Sequence, residues 1–254
     1  MKTRPTVLSI AGFDPSGGAG ILSDVKTFEQ NKTLGLGVIS ANTWQNESEF
    51  ENVEWVSVEK ILNQIEILFR KSKIDFVKIG LVQNAQSLLE ITSFLKSKNP
   101  NIKIIWDPIL KASTGFDFHS DSAKSDWLKV FENVYFITPN WNEALWLSGV
   151  EEGLKAGLEL SKYTNVCLKG GHNPEKPGYD YIFTQGFQTS TFTCSFRPKG
   201  KNISPKHGSG CVFSSALTAL MARGFPLKKA MLLAKEYVTR YLTSNTGLLG
   251  YHNF

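Results

Sequence analysis

The stretch TVLSIAGFDPSGGAGILSDVKTFEQNK, residues 6–32, holds the pattern that decides the fold. Residues 6–11 form a short, mostly apolar run, which predicts a buried β-strand. Residues 12–20 are a glycine-rich loop, and residues 21–32 then carry apolar side chains at the spacing of one helix face. A strand, a loop and a helix in this order are the opening of a βαβ unit.

The same alternation continues toward the C-terminus. Further strands are predicted at 37–43, 75–79, 103–106, 134–138 and 165–169. Helices are predicted at 57–72, 85–98, 123–131, 142–147 and 151–163, and two closing helices at 211–223 and 227–242. This order predicts an α/β fold, a mostly parallel sheet with helices on both faces. A small antiparallel addition is predicted from two runs at 179–183 and 190–196.

Composition restricts the class of protein. The 254 residues are 41% hydrophobic and 20% charged, an ordinary globular balance that excludes a disordered tail protein. We found no internal repeat or linker, so a single domain over residues 1–254 is expected. The net charge is +5, but the basic residues are scattered, and no basic run suits a nucleic-acid partner.

Targeting and redox signals favour a cytoplasmic protein. No segment reaches the ~18 apolar residues of a membrane span, and the apolar run near the N-terminus is too short for a signal peptide. The three cysteines, Cys167, Cys194 and Cys211, form no C-x-x-C pair, which suits a reducing compartment.

Ligands of open α/β sheets bind beyond the carboxyl ends of the strands. Six segments follow predicted strand ends and are expected to meet at one rim: 12–20, 42–46, 78–81, 107–115, 138–143 and 169–172.

The strongest local signal is KHGSGCVFSSALTAL at residues 206–220. Two glycines flank Ser209 and a helix of small residues follows, so backbone N–H groups at the helix start could bind an anion. The alternative is an ordinary tight turn that caps a helix. The third glycine of a dinucleotide motif is missing, and the chain has no P-loop. Cys211 lies on the first helical turn, where its pKa is expected to fall, unless it is a buried structural cysteine.

Seven motifs occur in order: AGFDPSGGAGILSDVKTF, Gln45-Asn46, VKIGL, DPILKASTG, TPNWNEA, LKGGH and HGSGC. Together they resemble the hydroxymethylpyrimidine and phosphomethylpyrimidine kinase family of thiamin biosynthesis, within the ribokinase-like superfamily. The resemblance extends from residue 7 to about residue 242. It implies a ribokinase-like fold, ATP and Mg²⁺ as cofactors, a small pyrimidine substrate and a homodimer.

The resemblance implies a pyrimidine pocket formed by the opening loop and the second strand. Gln45 matches the residue that hydrogen-bonds the aminopyrimidine ring, because an amide can donate and accept together. Gly12 and Asp24 are expected to flank the same pocket. The alternatives are a solvent-facing loop residue for Gln45 and an exposed helix residue for Asp24.

The resemblance also implies an anion hole and a proton acceptor. Gly208, Ser209 and Gly210 match the anion hole. Cys211 occupies the place where related sugar kinases have an aspartate as general base, although phosphoryl transfer needs little base and Cys211 could simply shape the hole. Lys169 is expected to neutralise the transferring phosphate; alone it would be a surface lysine.

Metal and nucleotide residues are implied by further matches. The Asn140-x-x-Glu143 pattern resembles the motif that organises Mg²⁺ through water, and Asn140 is also expected to contact the nucleotide. Asp107 is expected to be a second carboxylate near the metal. The alternatives are a helix N-terminal charge for Glu143 and a turn residue for Asp107.

Several positions depart from the family pattern. Leu81 replaces the usual methionine, Ser209 the usual threonine, and Trp44 a small residue, so Trp44 is expected either to narrow the pocket or to enter the core. The loop after the fourth predicted strand carries its lysine at a different position from the family pattern, and Lys111 is expected to substitute for the usual lysine.

The expected activity is ATP-dependent phosphorylation of hydroxymethylpyrimidine and then of its monophosphate. The alternatives are a pyridoxal kinase and a catalytically weak pyrimidine- or nucleotide-binding protein.

Overall fold

The computed structural model describes residues 4–111, 118, 127–186, 191–192 and 203–252. Within them, nine strands form one sheet in the order β3-β2-β1-β4-β5-β6-β7-β8-β9. The strands are β1 Thr6–Phe13, β2 Leu34–Gln45, β3 Phe50–Trp55, β4 Phe76–Ile79, β5 Lys103–Trp106, β6 Phe136–Ile137, β7 Asn165–Leu168, β8 Tyr181–Phe183 and β9 Thr191–Phe192. The predicted mostly parallel α/β sheet is confirmed, because β2, β1 and β4 to β7 pair in parallel.

Seven α-helices connect the strands in the described part of the chain. They are α1 Gly20–Gln30, α2 Val58–Phe69, α3 Ala85–Lys98, α4 Trp141–Ser148, α5 Gly153–Leu160, α6 Ser209–Ala222 and α7 Leu227–Thr243. Of the helix predicted at 123–131, residues 123–126 lie outside the described residues, and a 3₁₀ turn occupies Lys129–Glu132. Another 3₁₀ turn covers Gly170–His172.

The two faces of the sheet carry separate hydrophobic clusters. On β5, Ile104 and Trp106 belong to the cluster that packs under α2, α3, α4 and α5, whereas Ile105 belongs to the cluster under α6 and α7. On β7, Val166 and Cys167 divide in the same way. Successive side chains of a strand point to opposite faces, so strands covered on both sides are apolar throughout.

Both edges of the sheet are antiparallel, and the sequence indicated one of them. The predicted pair near the C-terminal edge is confirmed where it is described, because β8 pairs with β7 and β9 in antiparallel fashion. Residues 193–196, which include Cys194, lie outside the described residues. At the other edge, β3 pairs with β2, and no strand was predicted there. None of the residues of the missed strand is buried, so it lacks the apolar pattern of the buried strands.

No helix among the described residues is both long and apolar enough to cross a membrane. The prediction of a single domain over residues 1–254 stays a prediction.

Candidate active site

A cleft of about 1160 Å³ opens at the carboxyl ends of the parallel strands. The sheet order brings together all six predicted rim segments with the start of α6, as expected for an open α/β sheet. Ten of the eleven predicted site residues line the cleft: Gly12, Gln45, Asp107, Asn140, Glu143, Lys169, Gly208, Ser209, Gly210 and Cys211.

Asp14 shapes the glycine loop on one side of the cleft. Its carboxylate is fully buried and accepts hydrogen bonds from the backbone N–H groups of Ser16, at 2.9 Å, and Ala19, at 2.8 Å. Nε2 of His207 lies 2.9 Å from the same carboxylate. Burial would raise the pKa of Asp14, but the bond to His207 and the backbone donors hold it below its ordinary value. Asp14 therefore fixes the loop to the segment that precedes α6.

The start of α6 forms the predicted anion-binding cradle. Gly208 has a φ of 72°, and a Cβ there would lie 2.0 Å from the backbone oxygen of Gly18, so this position requires glycine. A Cβ on Gly210 would lie 3.2 Å from Nζ of Lys169. The first N–H groups of a helix have no partners within the helix. The residues at this helix start line the cleft beside a lysine, which is the chemistry of a phosphate site.

The C-terminal segment holds this helix start in place, and no sequence motif indicated this contact. Nζ of Lys206 donates to the backbone oxygens of Asn245, at 2.7 Å, and Gly247. The N–H of His207 donates to the oxygen of Leu248 at 2.9 Å. The hydroxyl of Tyr241 donates to the oxygen of His207 at 3.0 Å. The two residues that precede the cradle are thus tied to the end of the chain.

A buried charge cluster lies beside the cradle. Nζ of Lys169 donates to Asp107 at 2.6 Å, and Thr138 donates to the same oxygen at 3.0 Å. Burial would raise the pKa of Asp107, but the ammonium groups of Lys169 and Lys78 keep it below its ordinary value. Burial would lower the pKa of Lys169, yet the Asp107 carboxylate raises it above its ordinary value. Both groups are therefore charged at neutral pH.

Asn140 and Glu143 form a capping box at the start of α4. The side chain of Asn140 accepts from the N–H of Glu143 at 2.9 Å, and the Glu143 carboxylate accepts from the N–H of Asn140 at 2.6 Å. Burial and the nearby Asp107 raise the pKa of Glu143 to about 8, against the opposing effect of Lys169. Glu143 is thus both the helix-start charge of the alternative interpretation and a cleft residue.

The residues fit a magnesium ion. Two buried carboxylates, Asp107 and Glu143, lie beside the ammonium of Lys169, and burial together with the Asp107 carboxylate raises the pKa of Glu143. Mg²⁺ is usually bound by one or two carboxylates together with waters and substrate phosphates. No group of three or more His, Cys, Asp or Glu side chains suited to a metal occurs in the described part of the chain.

The expected fall in the pKa of Cys211 is wrong. The side chain lies on the first turn of α6 but is only 7% exposed. Burial raises its pKa to about 12; the ammonium of Lys78 opposes the rise, while the carboxylates of Asp107 and Asp24 add to it. The positive end of the helix does not outweigh this desolvation, so Cys211 is a thiol at neutral pH. This favours the view that Cys211 shapes the anion hole.

The structure does not place Asp24 at the cleft, nor is it an exposed helix residue. It is fully buried beneath the cleft and accepts hydrogen bonds from Ser9, at 2.5 Å, and Ser215, at 2.6 Å. Nζ of the fully buried Lys78 donates to both of its oxygens, at 2.9 and 3.1 Å. Burial would lower the pKa of Lys78, but the Asp24 carboxylate raises it above its ordinary value. This network joins β1, α1, β4 and α6 under the site.

Gln45 lies at the far end of the cleft. It is the last residue of β2, and its amide N–H donates to the Thr43 hydroxyl at 2.8 Å. That hydroxyl donates to the backbone oxygen of Phe13 at 2.8 Å. An amide has two N–H donors and one acceptor oxygen, so a ligand can still use the oxygen and the second N–H.

The departures from the family pattern fall in different places. Leu81 and Lys111 line the cleft, and Leu81 lies against Gly12. Trp44 is 47% exposed and does not line the cleft, because it points away from the side shared by Thr43 and Gln45. Both expectations for Trp44 are therefore wrong.

Sequence reasoning missed a second ion pair in the cleft. Nζ of Lys235, on α7, donates to Asp180 at 2.7 Å, and Asp180 accepts from the N–H of Gly170 at 2.9 Å. All three elements meet in space, but Lys235 and Asp180 are 55 positions apart, and neither belongs to a motif. The pair fixes the turn that follows Lys169.

Fold and cleft define a class: an α/β protein that binds a phosphate-bearing ligand at the carboxyl edge of its sheet. The model of a family described as phosphomethylpyrimidine kinase matches residues 14–253. The chain belongs to this family. The hydroxymethylpyrimidine/phosphomethylpyrimidine kinase of Bacillus subtilis (strain 168) is 32% identical over 249 residues, which cover 95% of this chain and 90% of that protein.

Solved structures agree with the family. The phosphomethylpyrimidine kinase of Clostridium difficile 630 is 30% identical, with a TM-score of 0.74 over 93% of this chain and 99% of that one. An ADP complex of Bacillus subtilis pyridoxal kinase has a TM-score of 0.79 at 24% identity, over 94% of this chain and 92% of that one, and shows a common fold.

Proposed function

We propose that the protein transfers the γ-phosphoryl group of ATP to the hydroxyl of 4-amino-5-hydroxymethyl-2-methylpyrimidine and then phosphorylates the monophosphate. The observation that carries the proposal is that one cleft contains both Gln45 and the cradle at the start of α6. The first suits an aminopyrimidine ring and the second a phosphate. Family membership at 32% identity over most of the chain supports the same activity.

The residues of the cleft act mainly by positioning and by neutralising charge. Phosphoryl transfer passes through a loose transition state, so the protein must align the reactants and stabilise charge on the transferring group. The N–H groups of Gly208, Ser209, Gly210 and Cys211 would bind that group, and Lys169 would neutralise it. Asn140 would contact the nucleotide. Asp14, through His207, holds the cradle in place and so limits the motion of these donors.

Magnesium would be held by Glu143 and Asp107, partly through water. When bound, Mg²⁺ would neutralise negative charge on the phosphates. Glu143 keeps one oxygen on the N–H of Asn140 through the capping box, which fixes the direction of the carboxylate.

A coupled assay for ADP tests the substrate. Purified protein with ATP and Mg²⁺ is offered hydroxymethylpyrimidine or pyridoxal, and phosphorus NMR follows the monophosphate and the diphosphate. Hydroxymethylpyrimidine should be the better substrate by kcat/KM. A preference for pyridoxal would replace the proposal by a pyridoxal kinase, and no ADP with either compound would leave a binding protein.

Gln45→Leu tests the pyrimidine pocket. Leaving a buried polar group of the ligand unpaired costs ~1–3 kcal/mol, so KM for the pyrimidine should rise while KM for ATP stays the same. Gln64→Leu is the matched control, because Gln64 is an exposed residue on α2. An unchanged KM for the pyrimidine in Gln45→Leu would remove Gln45 from the site.

A further inference from the structure

The end of the cleft that holds Gln45 is closed by aromatic side chains from two distant parts of the chain. Phe50, on β3, and Phe118, beyond β5, have ring centroids 5.2 Å apart at an interplanar angle of 82°. Trp55 lies behind them, with its ring centroid 6.3 Å from that of Phe118. Both phenylalanines line the cleft.

Backbone pairing places the two rings beside Gln45, the side chain proposed to bind the pyrimidine. Phe50 is the register partner of Gln45 across the β2–β3 pair, next to an irregularity between Trp44 and Gln45. The N–H of Phe118 donates to the oxygen of Leu110 at 3.0 Å, and Leu110 also lines the cleft. The two rings and the amide thus approach one ligand position from neighbouring directions.

Phe50 and Phe118 form an aromatic wall that selects ligands by shape as well as by polarity. Aromatic rings attract another ring through edge-to-face and offset contacts. A sugar presents hydroxyl groups around its ring, and those facing phenylalanine and leucine would lose their hydrogen bonds to water without replacement. Gln45 and Thr43 offer hydrogen bonds on one side of the wall, which matches a flat ring with polar atoms along one edge.

We propose that Phe50 and Phe118 are the specificity-determining residues that restrict this site to flat heteroaromatic alcohols. The proposal rests on the proposed kinase function and adds the chemical class of acceptor that the wall admits. Neither residue belongs to a motif by which the family was recognised.

Phe50→Leu and Phe118→Leu remove the rings and keep apolar bulk. An aromatic pair contributes ~0.5–1.5 kcal/mol beyond area burial. We therefore expect KM for hydroxymethylpyrimidine, and its calorimetric dissociation constant, to rise roughly three- to tenfold. KM for ATP should be unchanged and activity on ribose, if any, should not fall. Phe69→Leu, at the end of α2 and packed against the core, is the matched control.

Each outcome decides a different point. An unchanged KM and dissociation constant for the pyrimidine would overturn the proposal while leaving the kinase function standing. Equal rises in KM for the pyrimidine and for ATP would also overturn it, because the pair would then act on the closure of the whole cleft. If the wild-type protein phosphorylates no pyrimidine, the proposed function fails, and calorimetry with the two variants still shows whether the wall selects flat rings.

Discussion

The reactivity of Cys211 toward iodoacetamide should depend steeply on pH. The thiol is 7% exposed, and its pKa is raised to about 12, first by burial and then by Asp107 and Asp24 against the opposing Lys78. The thiolate is the reactive form. With that pKa, roughly one molecule in 10,000 carries it at pH 8, and the fraction grows about tenfold for each pH unit. The rate of alkylation should therefore keep rising from pH 7 to pH 10 without a plateau.

Peptide mass spectrometry after timed quenching measures this rate at Cys211 itself. The Cys211→Ser protein is the control, because any alkylation found in it comes from Cys167 and Cys194 alone. A rate that levels off between pH 6 and pH 8 would refute the reasoning, since it would show a thiolate stabilised by the helix start.

The charges around Cys211 also predict how two substitutions of this residue change kcat. A general base typically contributes 10²–10⁴-fold, but a thiol with a pKa near 12 is a poor one at neutral pH. Cys211→Ala should keep kcat within about tenfold of wild type. Cys211→Asp should be worse than Cys211→Ala, because it adds a buried carboxylate close to Asp107 and Asp24. An Asp variant more active than the Ala variant would restore the general-base role.

Three other predictions concern charge. Glu143→Gln keeps the capping box, since glutamine serves there as well. The melting temperature at pH 6 should therefore be unchanged, while the Mg²⁺ optimum for turnover moves upward. An unaltered Mg²⁺ dependence would show that Glu143 acts only as a helix cap. Lys78→Met leaves the Asp24 carboxylate buried without its counter-charge and should lower the free energy of unfolding in urea by about 3–5 kcal/mol. The double variant with Asp24→Leu should lose less than the sum of the two single variants. Strictly additive losses would contradict the pairing. Asp14 has a folded-state pKa below its unfolded value of 3.8, so its stabilisation is present above that pH and is lost as pH falls through the folded value. The melting-temperature deficit of Asp14→Asn should accordingly be largest near pH 7 and shrink below pH 4. A deficit that is the same at every pH would show that the charge of Asp14 does not stabilise the fold.

The elements best predicted from the sequence are those whose side chains repeat a buried pattern. The predicted bounds of α3, Ala85–Lys98, and β5, Lys103–Trp106, agree with the structure, because apolar residues recur at the helical spacing in the first and without interruption in the second. The strand β3 could not be found in this way. Its residues alternate little between apolar and polar, and its place depends on β2 continuing to Gln45.

The sequence predicted which residues lie at the site, but it did not predict how their charges balance. Motif order placed ten residues at one rim, since parallel strands end at a common edge. The sequence could not show that Asp24 faces Lys78, which is 54 positions away, or that burial dominates the pKa of Cys211. Desolvation depends on every element packed around a group, so a helix-start argument made from a single segment omits the largest contribution.

The Asn140–Glu143 motif shows why a structural and a functional interpretation need not compete. The capping box uses the N–H of Asn140 to hold one oxygen of Glu143 at 2.6 Å, which orients the carboxylate toward the cleft. The same packing buries it beside Asp107, and Lys169 compensates one of the two charges. This burial, together with the Asp107 carboxylate, raises the pKa of Glu143 to about 8. A divalent cation would lower that pKa by adding positive charge beside the two carboxylates. The capping box that stabilises α4 therefore also holds the Glu143 carboxylate where a metal ion would be bound.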